Sequence, residues 1–210
     1  MAAVHVLLIE MNLKRIGGIF DGLIEGIPAG SLIYFSVDPT IASELVLYQF
    51  CGVRKTYHFV TDRNPKSVEK GMRGARVNLE KVEIIDFRGR ERSTSEIIST
   101  IMRAEDANLI IDTFIPFSHD DSLVKELLDV CGDKDVLCVL VIPKGGCDGI
   151  IGSRIAYMCD AFFDLSADRI GDEVIVKFAA PKIRGVSPLT EYMRLKLESM
   201  VEVDTSRDIV

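Results

Sequence analysis

Short apolar runs alternate with amphipathic segments along most of the chain, and this alternation limits the folds that the chain can adopt. The amphipathic segments predict helices, and the apolar runs are continuous stretches rich in β-branched and aromatic residues, typical of strands covered on both faces. The predicted strands are residues 32–35, 57–60, 82–87, 108–112, 136–142, 161–165 and 173–178. The predicted helices are residues 43–50, 64–73, 94–104, 120–131 and 149–159. Strand–helix alternation with short connections predicts an α/β fold with a mostly parallel central sheet flanked by helices.

The pattern changes after residue 160, where one predicted strand follows another without a helix between them. Residues 169–171 carry the turn signal of a hairpin, and residues 193–203 add one or two further strands. We therefore expect an antiparallel extension at the C-terminal end of the sheet. The length of 210 residues suits one domain, residues 1–210.

Composition excludes several functional classes. The formal net charge is −7 and no run is dense in lysine or arginine, which argues against strong nucleic-acid binding by this chain alone. The N-terminal "MAAVHVLLIE" lacks the basic start of a signal peptide, and no apolar run reaches membrane-spanning length, so we expect a cytoplasmic protein without membrane association. The five cysteines have no C-x-x-C spacing, which predicts buried free thiols.

Residues 17–35, "GGIFDGLIEGIPAGSLIYF", carry a resemblance to a known family. They resemble the lead-in of the KaiC/RadA-like branch of the RecA ATPase superfamily, where G-x-x-x-L-D-x-L-x-x-G-G-I-P-x-G-S-L precedes the first core strand and the P-loop. "LIIDT" (109–113) is similar to the Walker B strand that ends in an aspartate, here Asp112. "DAFFDL" (160–165) and "KIRG" (182–185) resemble two later segments of the same family. The matching lead-in residues are Gly18, Asp21, Leu23, Gly26, Ile27, Pro28, Gly30 and Ser31.

The resemblance implies a RecA-like P-loop NTPase fold that often assembles into rings or filaments, with ATP between subunits. The P-loop motif itself, G-x-x-x-x-G-K-[ST], is degenerate: both glycines, the phosphate-binding lysine and the metal-binding hydroxyl are replaced. Laid on this chain, the motif covers Val37, Asp38, Pro39, Thr40, Ile41, Ala42, Ser43 and Glu44.

These replacements oppose phosphate binding. A carboxylate about 4 Å from a phosphate costs roughly 4 kcal/mol at an effective dielectric of 20. If Val37 and Ala42 kept the positive φ of the glycines, each would add strain of about 1–2 kcal/mol. Tight Mg-ATP binding is therefore not expected, and no cofactor is predicted. We expect Asp38 or Glu44 to fill the anion position at the following helix, with Ser43 as its cap.

The remaining family positions are weakened or ambiguous. Asp62 stands at the position of the carboxylate that activates water, but we expect the adjacent Arg63 to hold it as an ordinary ion pair. Asp112 alone is expected to hold no magnesium ion, and a hydrogen bond to Ser36 or Thr113 is one structural role for it. Lys182 and Arg184 match cations that in the family reach a neighbour's nucleotide. They are candidate inter-subunit fingers, with a solvated basic strand end as the alternative.

Together these features predict an inactive, pseudo-ATPase relative of the RecA/KaiC-like proteins. It would act as a scaffold or regulatory subunit through contacts with itself or with an intact ATPase of the family. The alternative is a protein that binds or hydrolyses ATP with a non-standard P-loop, such as an accessory factor in DNA recombination or repair. Nucleic acid would then be contacted only through an assembly.

Overall fold

The computed structural model describes residues 12–89, 94–198 and 200–205. Its strands are β1 Leu13–Lys14, β2 Ile27–Pro28, β3 Leu32–Val37, β4 Thr56–Val60, β5 Val82–Asp86, β6 Asn108–Ile111, β7 Leu137–Pro143, β8 Ala161–Ile170, β9 Glu173–Ile183, β10 Leu189–Leu197 and β11 Val201–Val203. Its α-helices are α1 Phe20–Leu23, α2 Ser43–Leu47, α3 Pro65–Gly74, α4 Thr94–Arg103, α5 Asp121–Lys134 and α6 Gly149–Met158. The N-terminal segment used for the signal-peptide prediction lies outside the described residues.

In the described ranges, one sheet of nine strands has the order β11-β10-β9-β8-β3-β7-β6-β4-β5. The strands from β8 to β5 in that order pair in parallel, whereas β9, β10 and β11 join antiparallel. The predicted α/β fold, with a mostly parallel sheet and a C-terminal antiparallel extension, is confirmed. The short antiparallel pair of β1 and β2 was not predicted.

The hairpin predicted near residues 169–171 joins β8 to β9. Ile170 pairs with Glu173, and Gly171 between them has φ +61°, a conformation that glycine adopts without steric cost. One predicted helix is shorter than expected: residues 43–50 form the five-residue α2 followed by a 3₁₀ turn, Tyr48–Phe50.

Alternate residues of the central strands face two separate hydrophobic cores, as strand geometry requires. In β3, Ile33 and Phe35 belong to the core that also contains α1 and the Tyr48–Phe50 turn. Leu32 and Tyr34 belong to the opposite core, which α4, α5 and α6 cover. Because these strands are buried on both faces, their sequences are continuous apolar runs.

The structure explains why glycine stands at position 30 of the lead-in motif. Its φ is +76°, and a Cβ there would lie 2.7 Å from Gly132 Cα in α5. The turn before β3 therefore needs both a left-handed backbone and a close approach to a helix, and only glycine provides both.

The cysteines are free thiols, with Cys147 half-buried and the other four buried. Within the described ranges, no helix combines the length and the apolar character needed to cross a membrane.

Candidate functional site

The carboxyl ends of the parallel strands meet at one cavity of about 350 Å³. Val37 ends β3, Pro143 ends β7, and Asp112 follows β6, so the three strands bring the loop after β3 and Asp112 together. Ligands of open α/β sheets bind outside this edge of the sheet. The wall combines apolar and polar side chains, and its polar and charged residues are Ser43, Glu44, Arg63, Asp112 and Thr113.

The loop after β3 is closed by its own side chains. Asp38 Oδ1 accepts hydrogen bonds from the backbone N–H of Thr40 at 2.8 Å and from its hydroxyl at 2.6 Å. These bonds lower the pKa of the Asp38 carboxyl. Asp38 therefore stabilises a turn, and it does not occupy the anion position at α2.

The start of α2 differs from the expected geometry. Ala42 is the N-cap residue, and no side chain caps the helix. Ser43 is already helical, so the expected serine cap is wrong. Ala42 has φ −74°, and no non-glycine residue of the loop has a positive φ. The strain expected at Val37 and Ala42 therefore does not arise, because neither residue has a positive φ.

Glu44 and Arg63 form an ion pair at the cavity wall. Arg63 Nη2 lies 3.7 Å from Glu44 Oε1, and the two side chains are 40% and 34% exposed. The prediction that Arg63 pairs with the adjacent Asp62 is wrong. In the described part of the chain, Asp62 is exposed and Arg63 turns toward α2. A pair this exposed contributes little stability, roughly 0–1 kcal/mol.

Asp112 is held by the end of β4. Its Oδ1 accepts hydrogen bonds from the Thr61 backbone N–H and hydroxyl, both at 2.9 Å, in place of the expected Ser36 or Thr113. The side chain is only 5% exposed. Its Oδ2 is buried and accepts no hydrogen bond from the described residues. Burial raises the pKa of the Asp112 carboxyl, although the hydrogen bonds from Thr61 and the charge of Arg63 oppose the rise.

His58, in β4, is the buried neighbour of this carboxylate and was not predicted from the sequence. Its Nε2 lies 3.9 Å from Asp112 Oδ2, too far for a hydrogen bond. Burial, and then the charge of Arg63, lowers the pKa of His58 to about 3, so the imidazole is neutral at neutral pH and does not balance the carboxylate. A titratable residue within an apolar strand run was the signal available in the sequence.

The Asp112 carboxylate should therefore reduce stability. We expect Asp112→Asn to raise the free energy of unfolding by about 1 kcal/mol at neutral pH, because the amide oxygen still accepts from Thr61 and no charge is buried. A folded-state pKa above the ordinary 3.8 means that the wild type loses stability as pH rises through that raised pKa. The advantage of the variant should thus disappear toward pH 4. Urea unfolding of the variant and the wild type between pH 4 and neutral pH measures this difference in the free energy of unfolding.

Asp38→Asn is the matched control. The pKa of Asp38 is lowered, so its charged form is favoured by folding, and removing that charge should not stabilise the protein at neutral pH. Equal stabilisation by both substitutions would contradict the assigned cost of the Asp112 charge.

Lys182 and Arg184 lie away from the cavity, against the C-terminal end of α6. Lys182 Nζ donates to the carbonyl oxygens of Ala156 at 2.8 Å and Tyr157 at 2.9 Å, and also to that of Cys159. Arg184 donates to Tyr157 O at 3.0 Å and pairs with Asp160 at 3.1 Å. Cations at a helix C-terminus satisfy its free carbonyl groups and oppose its dipole. Within one chain, both residues therefore have a structural role.

Comparisons with known proteins agree with this fold. The crystal structure of the KaiC-like protein PH0186 from the hyperthermophilic archaeon Pyrococcus horikoshii OT3 superposes with a TM-score of 0.75 at 15% sequence identity, over 92% of this chain and 99% of that chain. A search of curated proteins finds no match. A family model described as a family of unknown function (DUF7125) matches residues 18–210. The chain therefore belongs to this family of unknown function, DUF7125, and has a KaiC-like, RecA-type fold.

Proposed function

We propose that this protein is a non-hydrolysing member of the RecA/KaiC-like fold group that works as a cytoplasmic scaffold or regulatory subunit. Its partner is a second copy of itself or an intact ATPase of the same fold. The observation that carries the proposal is the Glu44–Arg63 ion pair at the cavity wall, in a loop that has lost both glycines and the lysine. Glu44 engages the Arg63 guanidinium that could otherwise meet a phosphate, and Ser43 supplies no charge in place of the lysine.

The described residues do not fit Mg-ATP. Glu44 replaces the hydroxyl that would share the metal, and Asp112 Oδ1 is already engaged by Thr61. No group of three or more His, Cys, Asp or Glu side chains in the described part of the chain is arranged to hold a metal ion. We therefore assign no hydrolytic step to this cavity.

Exposed apolar side chains support a role through protein contacts. Ile150 and Tyr157 in α6 are 81% and 79% exposed, and their spacing of seven residues places them on one face of the helix. Large apolar groups that face water together are typical of surfaces that contact another protein.

A titration with a fluorescent ATP analogue, with and without Mg²⁺, tests the loss of nucleotide binding. We expect the wild-type chain to show no saturable binding at millimolar nucleotide. The matched variant Val37→Gly/Ala42→Gly/Ser43→Lys/Glu44→Thr restores the P-loop motif. It tests whether the loop alone is responsible for the absence of nucleotide binding. Saturable, Mg²⁺-dependent binding at micromolar concentration by the wild type would overturn the proposal and favour a nucleotide-binding protein with a non-standard loop.

Sedimentation velocity in the same buffers tests association. If the partner is a second copy, the mass should rise with concentration, be unaffected by nucleotide, and fall on Tyr157→Asp. A chain that stays monomeric at all concentrations would eliminate self-association and leave an intact ATPase as the partner. A mass that changes only with ATP would contradict a nucleotide-independent scaffold.

A further inference from the structure

Two opposite charges stand side by side at the wall of the cavity. Arg63 Nη2 and Glu44 Oε1 are 3.7 Å apart, which is beyond hydrogen-bond distance, so neither group is saturated by the other. Both side chains line the cavity and are 40% and 34% exposed, so a ligand that enters the cavity can reach them. Glutamate and arginine side chains in contact with solvent are charged at neutral pH. The cavity therefore offers a ligand one carboxylate and one guanidinium together.

This charge pair limits the class of ligand. A simple anion attracted by Arg63 would lie close to the Glu44 carboxylate, and a simple cation attracted by Glu44 would lie close to the Arg63 guanidinium. A zwitterion avoids both repulsions, because its carboxylate meets the arginine while its ammonium group meets the glutamate. Since the two protein charges are only 3.7 Å apart, the charges of the ligand must also be close together, as they are in an α-amino acid.

The rest of the lining agrees with this class of ligand. Ile41, Leu47 and Val141 present apolar side chains to the same cavity, where an aliphatic side chain of the ligand can pack. Ser43 and Thr113 add hydroxyl groups, which can accept from an ammonium group or donate to a carboxylate. The volume of about 350 Å³ is near the lower end of the range for small-molecule pockets, roughly 300–1,000 Å³. A single aliphatic amino acid is of a size that suits this space.

We propose that this cavity binds an aliphatic α-amino acid, whose carboxylate pairs with Arg63 and whose ammonium group pairs with Glu44. The aliphatic side chain of the ligand packs between Leu47 of α2 and Val141 of β7. This inference goes beyond the scaffold role and does not depend on it, because amino-acid binding and protein association are measured separately.

Isothermal titration calorimetry on the full chain at neutral pH tests the proposal with three probes that share one branched apolar body. L-Leucine carries both charges, 4-methylpentanoate lacks the ammonium group, and 3-methylbutylamine lacks the carboxylate. We expect leucine to bind at least about tenfold more tightly than either analogue, because only leucine gives both protein charges a partner. No saturable binding of leucine, or binding no tighter than that of either analogue, would overturn the proposal.

Two substitutions assign the contacts one by one. Arg63→Gln should weaken leucine binding about tenfold and remove its advantage over 3-methylbutylamine, because the ligand carboxylate has lost its partner. Glu44→Gln should weaken leucine binding about tenfold and remove its advantage over 4-methylpentanoate, because the ammonium group has lost its partner.

Glu69→Gln is the matched control for these variants. Glu69 forms another exposed ion pair, with Arg73 at 2.6 Å on α3, and it does not line the cavity, so this variant should bind leucine as the wild type does. Exposed pairs contribute little to stability, so urea unfolding should show that all three variants are folded. Leucine affinity that survives both cavity substitutions, or that falls equally with Glu69→Gln, would also overturn the proposal.

Discussion

Phe163→Ala should lower the free energy of unfolding by about 3–5 kcal/mol, the largest single-residue effect that we expect in this protein. The ring is fully buried, and its centroid lies 5.3 Å from that of Phe178, 5.9 Å from Phe20 and 6.1 Å from Phe50. These rings come from β9, α1 and the turn after α2, so one truncation leaves a cavity where the lead-in, the loop and the antiparallel extension meet. Urea unfolding followed by circular dichroism measures the loss.

Phe162→Ala is the matched control for this prediction. The neighbouring ring points to the other face of β8, is half-buried and stacks on Tyr34 with centroids 5.1 Å apart. Less area is buried and the space can be filled by solvent, so we expect a loss of about 1 kcal/mol. Equal losses from both substitutions would mean that the contacts of Phe163 with Phe20, Phe50 and Phe178 do not have the assigned importance for stability.

Lys182→Met should cost about 2–3 kcal/mol, the second largest effect, because three carbonyl oxygens at the end of α6 lose a charged donor at once. Methionine keeps much of the apolar stem, so the change isolates the ammonium group. Burial, and then the charge of Arg184, lowers the pKa of Lys182, but the ammonium form remains the one that donates these bonds. Thermal and urea unfolding of the purified chain measure the effect.

Arg184→Met provides the contrast. The Arg184 side chain is 53% exposed, and its contacts are with Tyr157 O and Asp160, so a loss below about 1 kcal/mol is expected. If Lys182→Met left the stability of the isolated chain unchanged and instead reduced the activity of an intact ATPase bound to it, the inter-subunit role would replace the helix-capping role.

More of the fold than of the site could be predicted from the sequence. The strands and their parallel arrangement could be predicted because a strand buried on both faces is apolar at nearly every position, as β7 is throughout and β3 is except at Ser36. The shortening of the helix after β3 could not, since residues 43–50 have a helix-compatible pattern. The aromatic residues of that segment, Tyr48 and Phe50, are instead buried from a 3₁₀ turn.

The site could be predicted only as a location. The loop after β3 and Asp112 each follow a strand of the predicted parallel sheet, and the carboxyl ends of parallel strands share an edge. Which charges pair there could not be deduced: Arg63 is adjacent to Asp62 in the chain, yet it contacts Glu44, nineteen positions away along the chain. Local proximity was a poor guide, because neighbouring residues at a strand end point in different directions.

What this amino-acid sequence determines is therefore the sheet and its two cores, both of which depend on residue type and spacing. Tertiary structure alone decided that Asp112 would be bound by Thr61 beside a neutral His58, and that Lys182 would cap α6. These contacts join residues 23–54 positions apart along the chain. Such residues meet only after the strands have paired, so the geometry of the sheet and burial determine their partners. The local sequence pattern does not report these long-range contacts.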